Sequence, residues 1–353
     1  MPSLSPDYLA RLRFDGQQLA MLRALGEHRG KQQFHLAQPP EVLSDLRQIA
    51  VAESAAASNR LEGVVVGAQR LKSLLHKNAA PRSRSEQEVA GYRDALGWIH
   101  DSGAQRPFSE AGILQLHGIL CRYRAQPGGH WKSAADDIIE RRAEGNARIR
   151  WRPVAAHRAP MVLSDMVARH RSALDRHWAD PLVLVPLAIL DFFCIHPFPD
   201  GNGRMARLLT LQLLSHCGYA VGRFISLERI FEEAQAGYGE TLQASAQGWH
   251  EDRHDVAPWL NYFWRALLRA YGEFEERVGS IVRGRGAKGE RVRAEILARH
   301  RPFSISGIEA ACPGISRDMV RVVLRSMKAQ GLIAPTGKGR GAKWQHTGAK
   351  DAA

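Results

Sequence analysis

His196-Pro-Phe-Pro-Asp200-Gly-Asn202-Gly203-Arg204-Met-Ala-Arg207 lies between two apolar stretches, Pro181 to Cys194 and Arg204 to Cys217. Both have helical length, so the segment is a loop that runs into a helix N-terminus. Backbone N–H groups left free there, together with the helix dipole, favour an anion, and Gly201 and Gly203 let a phosphate approach the backbone. Arg204 and Arg207, three apart, project from the first helical turns and can grip further phosphates. Asp200 is a hard oxygen ligand of the kind Mg²⁺ takes. His196, with an ordinary pKa of about 6.5, can accept a hydroxyl proton near neutrality. Taken singly, each part has an ordinary explanation: a turn, a solvated arginine face, a satisfied core histidine. Base, metal ligand, anion cradle and cationic clamp together are the parts that phosphoryl or nucleotidyl transfer requires.

The segment resembles the signature of the Fic family, His-x-Phe-x-(Asp/Glu)-Gly-Asn-Gly-Arg-x-x-Arg, at every specified position. The resemblance implies a mainly α fold: a helical core with a small β-hairpin flap over the site. It also implies roles. His196 is the general base, Asp200 holds Mg²⁺, Gly201, Asn202, Gly203 and Arg204 form the anion hole, and Arg207 grips the γ-phosphate. Family members move AMP from ATP to a Ser, Thr or Tyr hydroxyl of a target protein and release pyrophosphate. Relatives that phosphorylate carry Lys in place of the second glycine, so Gly203 favours AMP transfer. Tyr238 falls where relatives carry a Tyr-Tyr pair near the adenine, and Gly239 stands in the second position.

A second pattern is independent of the first. Ser58-Asn-Arg-Leu-Glu62-Gly63 fits the family's inhibitory motif, (Ser/Thr)-x-x-x-Glu-(Gly/Asn). Glu62 at a helix end can pair with Arg207 and occupy the guanidinium meant for the γ-phosphate. A plain helix stop at Gly63 is the alternative reading. The same site run backwards would remove AMP, which the sequence leaves open.

Around these motifs the chain reads as helices: Tyr8 to Leu25, Glu41 to Leu61, Glu88 to Ile99, Ile113 to Cys121, Leu163 to Trp178, Leu227 to Gln247 and Ala257 to Val278. Asp137 to Trp151 reads instead as a hairpin about Glu144-Gly145-Asn146, rich in arginine (Arg141, Arg142, Arg148, Arg150). It is either the flap that the resemblance implies, which would align a target chain as a strand, or a plain solvated hairpin. Leu116-His117 and Gly129-His-Trp-Lys132 resemble family segments that precede it. Gly284-Arg-Gly-Ala-Lys-Gly289 reads as a linker. The expected domains are a helical region 1–90 with the inhibitory helix, a catalytic core 91–280 and a module 281–353.

The net charge of +13 is uneven. From Gly284 onward there are 14 Lys and Arg against 5 Asp and Glu, an asymmetry that suggests a nucleic-acid partner. The tail shows a helix, a short helix, a Pro313-Gly314 turn, a third helix from Ser316 to Gln330 and a glycine-punctuated hairpin. Met319, Val320, Val323, Leu324 and Met327 form an apolar stripe on the third helix, and Arg317, Arg321, Arg325 and Lys328 a basic one. The order resembles a winged helix, with Lys338, Arg340 and Lys343 on the wing. DNA binding and a purely regulatory or dimerising role both stay open.

Cys121, Cys194, Cys217 and Cys312 are scattered, with no Cys-x-x-Cys pair to suggest zinc or redox work. The longest apolar run, Pro181 to Leu190, is shorter than a membrane span, and Met1 to Arg13 has no signal-peptide centre. A cytoplasmic protein without membrane attachment is expected, and a homodimer stays open. The expected activity is an ATP- and Mg²⁺-dependent protein adenylyltransferase held in check by Glu62. The rivals are a phosphotransferase and a DNA-binding regulator whose core only senses nucleotide. The intact His196 argues against the sensor, which needs the anion hole but not the base.

Overall fold

The computed structural model describes residues 3–38, 40–76, 79–102, 105–134, 138–141, 147–299, 301–337 and 343–347. Two compact units divide the chain, Met1–Glu275 and Glu276–Ala353. The helices of the first unit are α1 (Pro6–Arg11), α2 (Gly16–Leu36), α3 (Pro40–Arg60), α4 (Ala68–His76), α5 (Arg84–Ser102) and α6 (Glu110–Leu120). A hairpin of β1 (Ile138–Arg141) and β2 (Ala147–Trp151) follows, then α7 (Ala159–Asp175), α8 (Pro181–Ile195), α9 (Asn202–His216), α10 (Leu227–Glu233) and α11 (Gln235–Ala246). The long α12 (Ala257–Leu297) contains the boundary between the units.

The protein is mainly helical, as the sequence implies. No helix among the described residues is long and apolar enough to cross a membrane.

Helix starts follow side-chain chemistry. Asp15 and Gln18 form a reciprocal capping box at α2. Asp180 accepts from Leu182 N–H at 2.8 Å at the start of α8, where Pro181 takes the first helical position. The box at Asp15 also corrects the expected single helix from Tyr8 to Leu25, because it starts a second helix after α1 has ended. The expected helix from Leu227 to Gln247 likewise divides, at Ala234 with φ −93° and ψ 40°.

The core is built on α8, which is buried along nearly its whole length and packs against α7, α9 and α11. Pro186 lies inside α8 and has no N–H to offer the carbonyl one turn back. That carbonyl, Leu182 O, accepts instead from the indole N–H of Trp264 at 2.8 Å. On the other side α3 packs on α5 and α10, and α5 on α6. Gly91 is required for the last of these contacts, since a Cβ there would collide with the backbone of Leu120.

β1 and β2 pair antiparallel with Ile139 opposite Ile149 and Glu140 opposite Arg148, and with an irregularity between Ile138 and Ile139. The expected hairpin is therefore present, while its turn, Asp137 and Arg142 lie outside the described residues. The flanking chain is stitched to the end of α8. Lys132 N–H donates to Pro197 O at 2.9 Å, and Val154 N–H to Cys194 O at 3.3 Å.

In the second unit α13 (Ile305–Ala311), α14 (Arg317–Ala329) and a hairpin of β3 (Ile333–Thr336) with β4 (Lys343–His346) follow the end of α12. Phe303 pairs with Trp344 beside the hairpin. Val292, Ile296, Ile308, Val320, Leu324 and Met327 share one buried cluster. Lys338 and Arg340 lie outside the described residues. The expected linker Gly284–Gly289 is helical instead, inside α12. Each glycine in a helix costs about 1 kcal/mol against alanine, but here they alternate with Arg, Ala and Lys, with no proline to stop the helix.

Replacing Trp264 with Phe keeps an aromatic ring of smaller volume and removes the donor, leaving Leu182 O buried and unsatisfied. We expect Trp264→Phe to lose about 1–3 kcal/mol of stability, read as a lower denaturant midpoint. An unchanged midpoint would show that α8 does not need this bond.

Candidate active site

The end of α8 turns sharply. His196 caps the helix in the left-handed region (φ 49°, ψ 62°), with its N–H donating to Phe192 O at 3.0 Å. Gly201 takes the same region (φ 81°) at the start of α9, where a β-carbon is disfavoured. Asn202, the first residue of α9, folds the loop back on itself. Its Oδ1 accepts from Phe198 N–H at 3.0 Å and its Nδ2 donates to Phe198 O at 2.8 Å. No side chain caps α9, so its first N–H groups face the site as an anion-binding end.

His117 supports this loop from α6. Its Nδ1 accepts from Gly129 N–H at 2.9 Å, which places the proton of the neutral ring on Nε2. Nε2 then donates to Asp200 O at 3.1 Å, and the ring stacks on Phe198 with centroids 3.8 Å apart. Burial pushes the imidazole down to about 4, so it stays neutral at physiological pH. Sequence reading places His117 near the flap but not under the Asp200 loop. Its partners lie 12 and 83 residues away.

The two arginines are held differently. Arg204 pairs with Glu88 Oε2 at 3.0 Å, both side chains 5% exposed, and its second nitrogen reaches Asp200 Oδ1 at 3.4 Å. Arg207 is 2% exposed. Its Nε donates to Ser58 Oγ at 2.8 Å, and Nη2 donates to Ser58 O at 2.9 Å and to Glu62 Oε1 at 2.7 Å. Burial works against the Arg207 charge, but Glu62 and the neighbouring tyrosines outweigh it and hold the guanidinium above its ordinary range. The Glu62 carboxylate also lies against Gly203, where a Cβ would collide with Oε1. Ser58, Glu62, Gly203 and Arg207 thus meet at one point.

Tyr238, expected near a nucleotide base, is buried among Phe231, Trp259 and Tyr262. The Arg207 Cζ lies 5.8 Å from the centre of its ring. Gly239 has open space where its Cβ would be.

Asp200 is half-buried at the far side of the loop. Burial raises its carboxyl, yet Arg204, Arg124 and the Gly201 N–H prevail and hold it below the usual range. No three His, Cys, Asp or Glu side chains among the described residues cluster to hold a metal. One carboxylate still fits Mg²⁺, which is bound by one or two carboxylates where phosphates and water complete its shell.

Glu88, His117 and Arg124 are the residues that sequence reading missed. Glu88 and Arg124 carry no local motif, Leu116-His117 is marked only by its resemblance to a family segment that precedes the flap, and each of the three acts through a partner far along the chain.

His117 ties the site to pH. Its folded value of about 4 lies below the ordinary 6.5. As pH falls through that window the unfolded chain gains a proton that the folded one refuses, so stability falls with pH. Buried His100, His170 and His254 act in the same sense, while Asp191, raised to about 6 by burial, acts oppositely. Between pH 7 and pH 5, His117→Gln should lose about 1–2 kcal/mol less than the parent in denaturant titrations. Equal losses would mean that His117 is not held neutral.

Residues 107–214 match the Fic/DOC family. Among solved structures, a Fic-domain-containing signaling protein from Bacteroides thetaiotaomicron has a TM-score of 0.61 at 20% identity, over 73% of this chain and 97% of that one. A Fic family protein from Desulfovibrio desulfuricans gives 0.59 at 19%, over 96% and 98%. Fic-1 from C. elegans gives 0.58 at 19%, over 76% and 73%. No curated protein sequence is a match. Identities this low establish a shared fold, and the segment that matches the Fic/DOC family, residues 107–214, contains the His196–Arg207 loop.

Proposed function

We propose that the protein is an adenylyltransferase that moves AMP from ATP to a Ser, Thr or Tyr hydroxyl of a target protein, and that Glu62 restrains it. The observation that carries this reading is the position of the Glu62 carboxylate, 2.7 Å from Arg207 Nη2 and against Gly203 at the α9 N-terminus. A carboxylate there takes the place of a phosphate oxygen, which marks the point as an anion site and Glu62 as its internal occupant.

The chain's own groups then divide the work. Arg207 grips the terminal phosphate once Glu62 withdraws. The N–H groups at the start of α9 and Arg204, steadied by Glu88, stabilise the negative charge that grows on the phosphate under attack. His196 removes the proton of the attacking hydroxyl as the new P–O bond forms and pyrophosphate leaves. Asp200 would hold Mg²⁺, which neutralises phosphate charge. The stitches at Lys132 and Val154 root the β1–β2 hairpin on either side of His196, where it can align a target segment as a strand.

Glu62→Gly should raise ATP affinity and AMP transfer at least about tenfold, seen with α-labelled ATP and by mass spectrometry of the modified product. His196→Ala in that background should lower transfer by about 10²–10⁴ with ATP binding nearly unchanged. Label arriving from the γ-position instead would make the protein a phosphotransferase. A Glu62→Gly variant no better than its parent would end the restraint hypothesis.

The second unit supports a further reading, that it is a winged helix which binds duplex DNA. Arg317, Arg321, Arg325 and Lys328 are all exposed on α14, while Val320, Leu324 and Met327 are buried. Two of these arginines are engaged locally, Arg317 with Glu309 at 3.2 Å and Arg321 with Asp318 at 3.1 Å. Such exposed pairs are weak and yield to phosphates. Binding of the full chain to duplex DNA should weaken steeply with salt, and joint alanine substitution of Arg317, Arg321 and Arg325 should flatten that slope. Absence of binding near physiological salt would leave the unit a protein-interaction module.

A further inference from the structure

Asp200 is the carboxylate that a divalent cation would need, and four donors already surround it. Oδ1 accepts from Gly201 N–H at 2.6 Å and from Arg204 at 3.4 Å. Oδ2 pairs with Arg124 Nη2 at 2.7 Å and faces Arg84 Nη2 at 3.6 Å. The two outer arginines differ in kind. The Arg84 side chain is 74% exposed and already pairs with Glu88 at 3.2 Å, whereas that of Arg124 is 12% exposed. Arg124 sits in the turn after α6, its N–H donating to Cys121 O at 2.9 Å. It lines a cleft of about 480 Å³ together with His117, Cys121, His130, Pro199 and Asp200. A guanidinium released from Asp200 therefore has space to withdraw without unfolding the turn.

We propose that Arg124 is an internal cation that competes with the divalent metal for Asp200 Oδ2, a second restraint separate from Glu62. The proposal rests on Asp200 being the metal ligand. A guanidinium and a hard dication cannot share the same lone pairs at contact distance, so binding one displaces the other. Arg204 belongs to a different class, because Glu88 anchors it and it approaches the other oxygen at a longer distance. Arg124 has no comparable carboxylate besides Asp200 among the contacts of the described residues. Once displaced, it becomes a mobile positive charge beside the phosphate-binding end of α9. Metal and a phosphate chain arriving together thus each offer Arg124 and Asp200 what they lose, whereas metal alone does not. Arg124 is accordingly a positioning residue, acting on the site through Asp200.

The test uses the full chain and Mn²⁺ alone, with free Mn²⁺ measured by electron paramagnetic resonance. Arg124→Gln should tighten Mn²⁺ binding about tenfold, and Arg84→Gln, which removes the same charge at longer range, should change it less than twofold. Arg124→Lys keeps the charge in a shorter, single-point form and should fall between parent and Arg124→Gln. Near-UV circular dichroism checks that each variant keeps its packing. Parent-like Mn²⁺ affinity in both folded Arg124 variants would overturn the proposal. So would equal gains from Arg84→Gln and Arg124→Gln, which would reduce the effect to general charge. Asp200→Asn separates the two levels: retention of the same Mn²⁺ site would remove Asp200 as the ligand, whatever Arg124 does.

Discussion

A guanidinium buried to 2% exposure is the constraint around which this site is arranged. Arg207 cannot be left alone in that environment, because an uncompensated buried charge costs several kcal/mol. Ser58 satisfies part of the group through its hydroxyl and its carbonyl, but neither supplies negative charge. That falls to Glu62. The demand for an anion at this point is therefore built into the fold, and on the proposed reading a substrate phosphate and Glu62 compete to meet it. Exchange of one anion for another avoids the penalty of exposing the cation bare, which keeps the two states close in energy.

Helix α3, which carries Ser58, is part of the core rather than an appendage. Ser54, Ser58 and Glu62 follow at intervals of four, yet they are held with different firmness. Ser54 donates to the buried Glu228 carboxylate at 2.6 Å, and Tyr92 from α5 donates to the same group at 2.8 Å. Ala50, Ala55 and Ala57 lie flat in the α3 interface, where larger side chains would hold the helices apart. Glu62, in contrast, lies beyond the helix end, in a turn that Gly63 completes at φ 75°. Its side chain is 37% exposed. A change in that turn can lift the carboxylate away while Ser54 and Ser58 stay where they are. The proposed restraint is thus local in what must move and global in what holds it.

This difference explains what could be read from the sequence. The His196–Arg207 loop is local chemistry: two left-handed positions, an asparagine that closes the turn and an uncapped helix start all follow within a dozen residues. Ser58 and Glu62 were legible because the six residues from Ser58 to Gly63 resemble the family's inhibitory motif. Glu88, His117 and Arg124 were not, because each works on a group contributed by a distant element. An arginine in a short turn has no pattern that distinguishes it from a solvated one. The Gly284–Gly289 segment misled for the opposite reason: its composition is that of a linker, yet isolated glycines among strong helix formers do not stop a helix. The splits at Asp15 and Ala234 turn on single residues within otherwise helical periodicity, which an averaged pattern passes over.

Charge bookkeeping around the loop shows why the two ends of the site act together. Arg84, Arg124, Arg204 and Arg207 face Asp200, Glu88 and Glu62. Withdrawal of Glu62 leaves a cationic excess at the Arg207 end, where the helix dipole already favours an anion. Displacement of Arg124 from Asp200 leaves, at the other end, a carboxylate ready for a cation. A polyphosphate with its metal carries both complements, negative oxygens for one end and a dication for the other. Neither an isolated anion nor an isolated metal satisfies both. On the proposed reading, selectivity for the pair then follows from the arrangement of seven charged side chains, before any contact with a base or a target is considered.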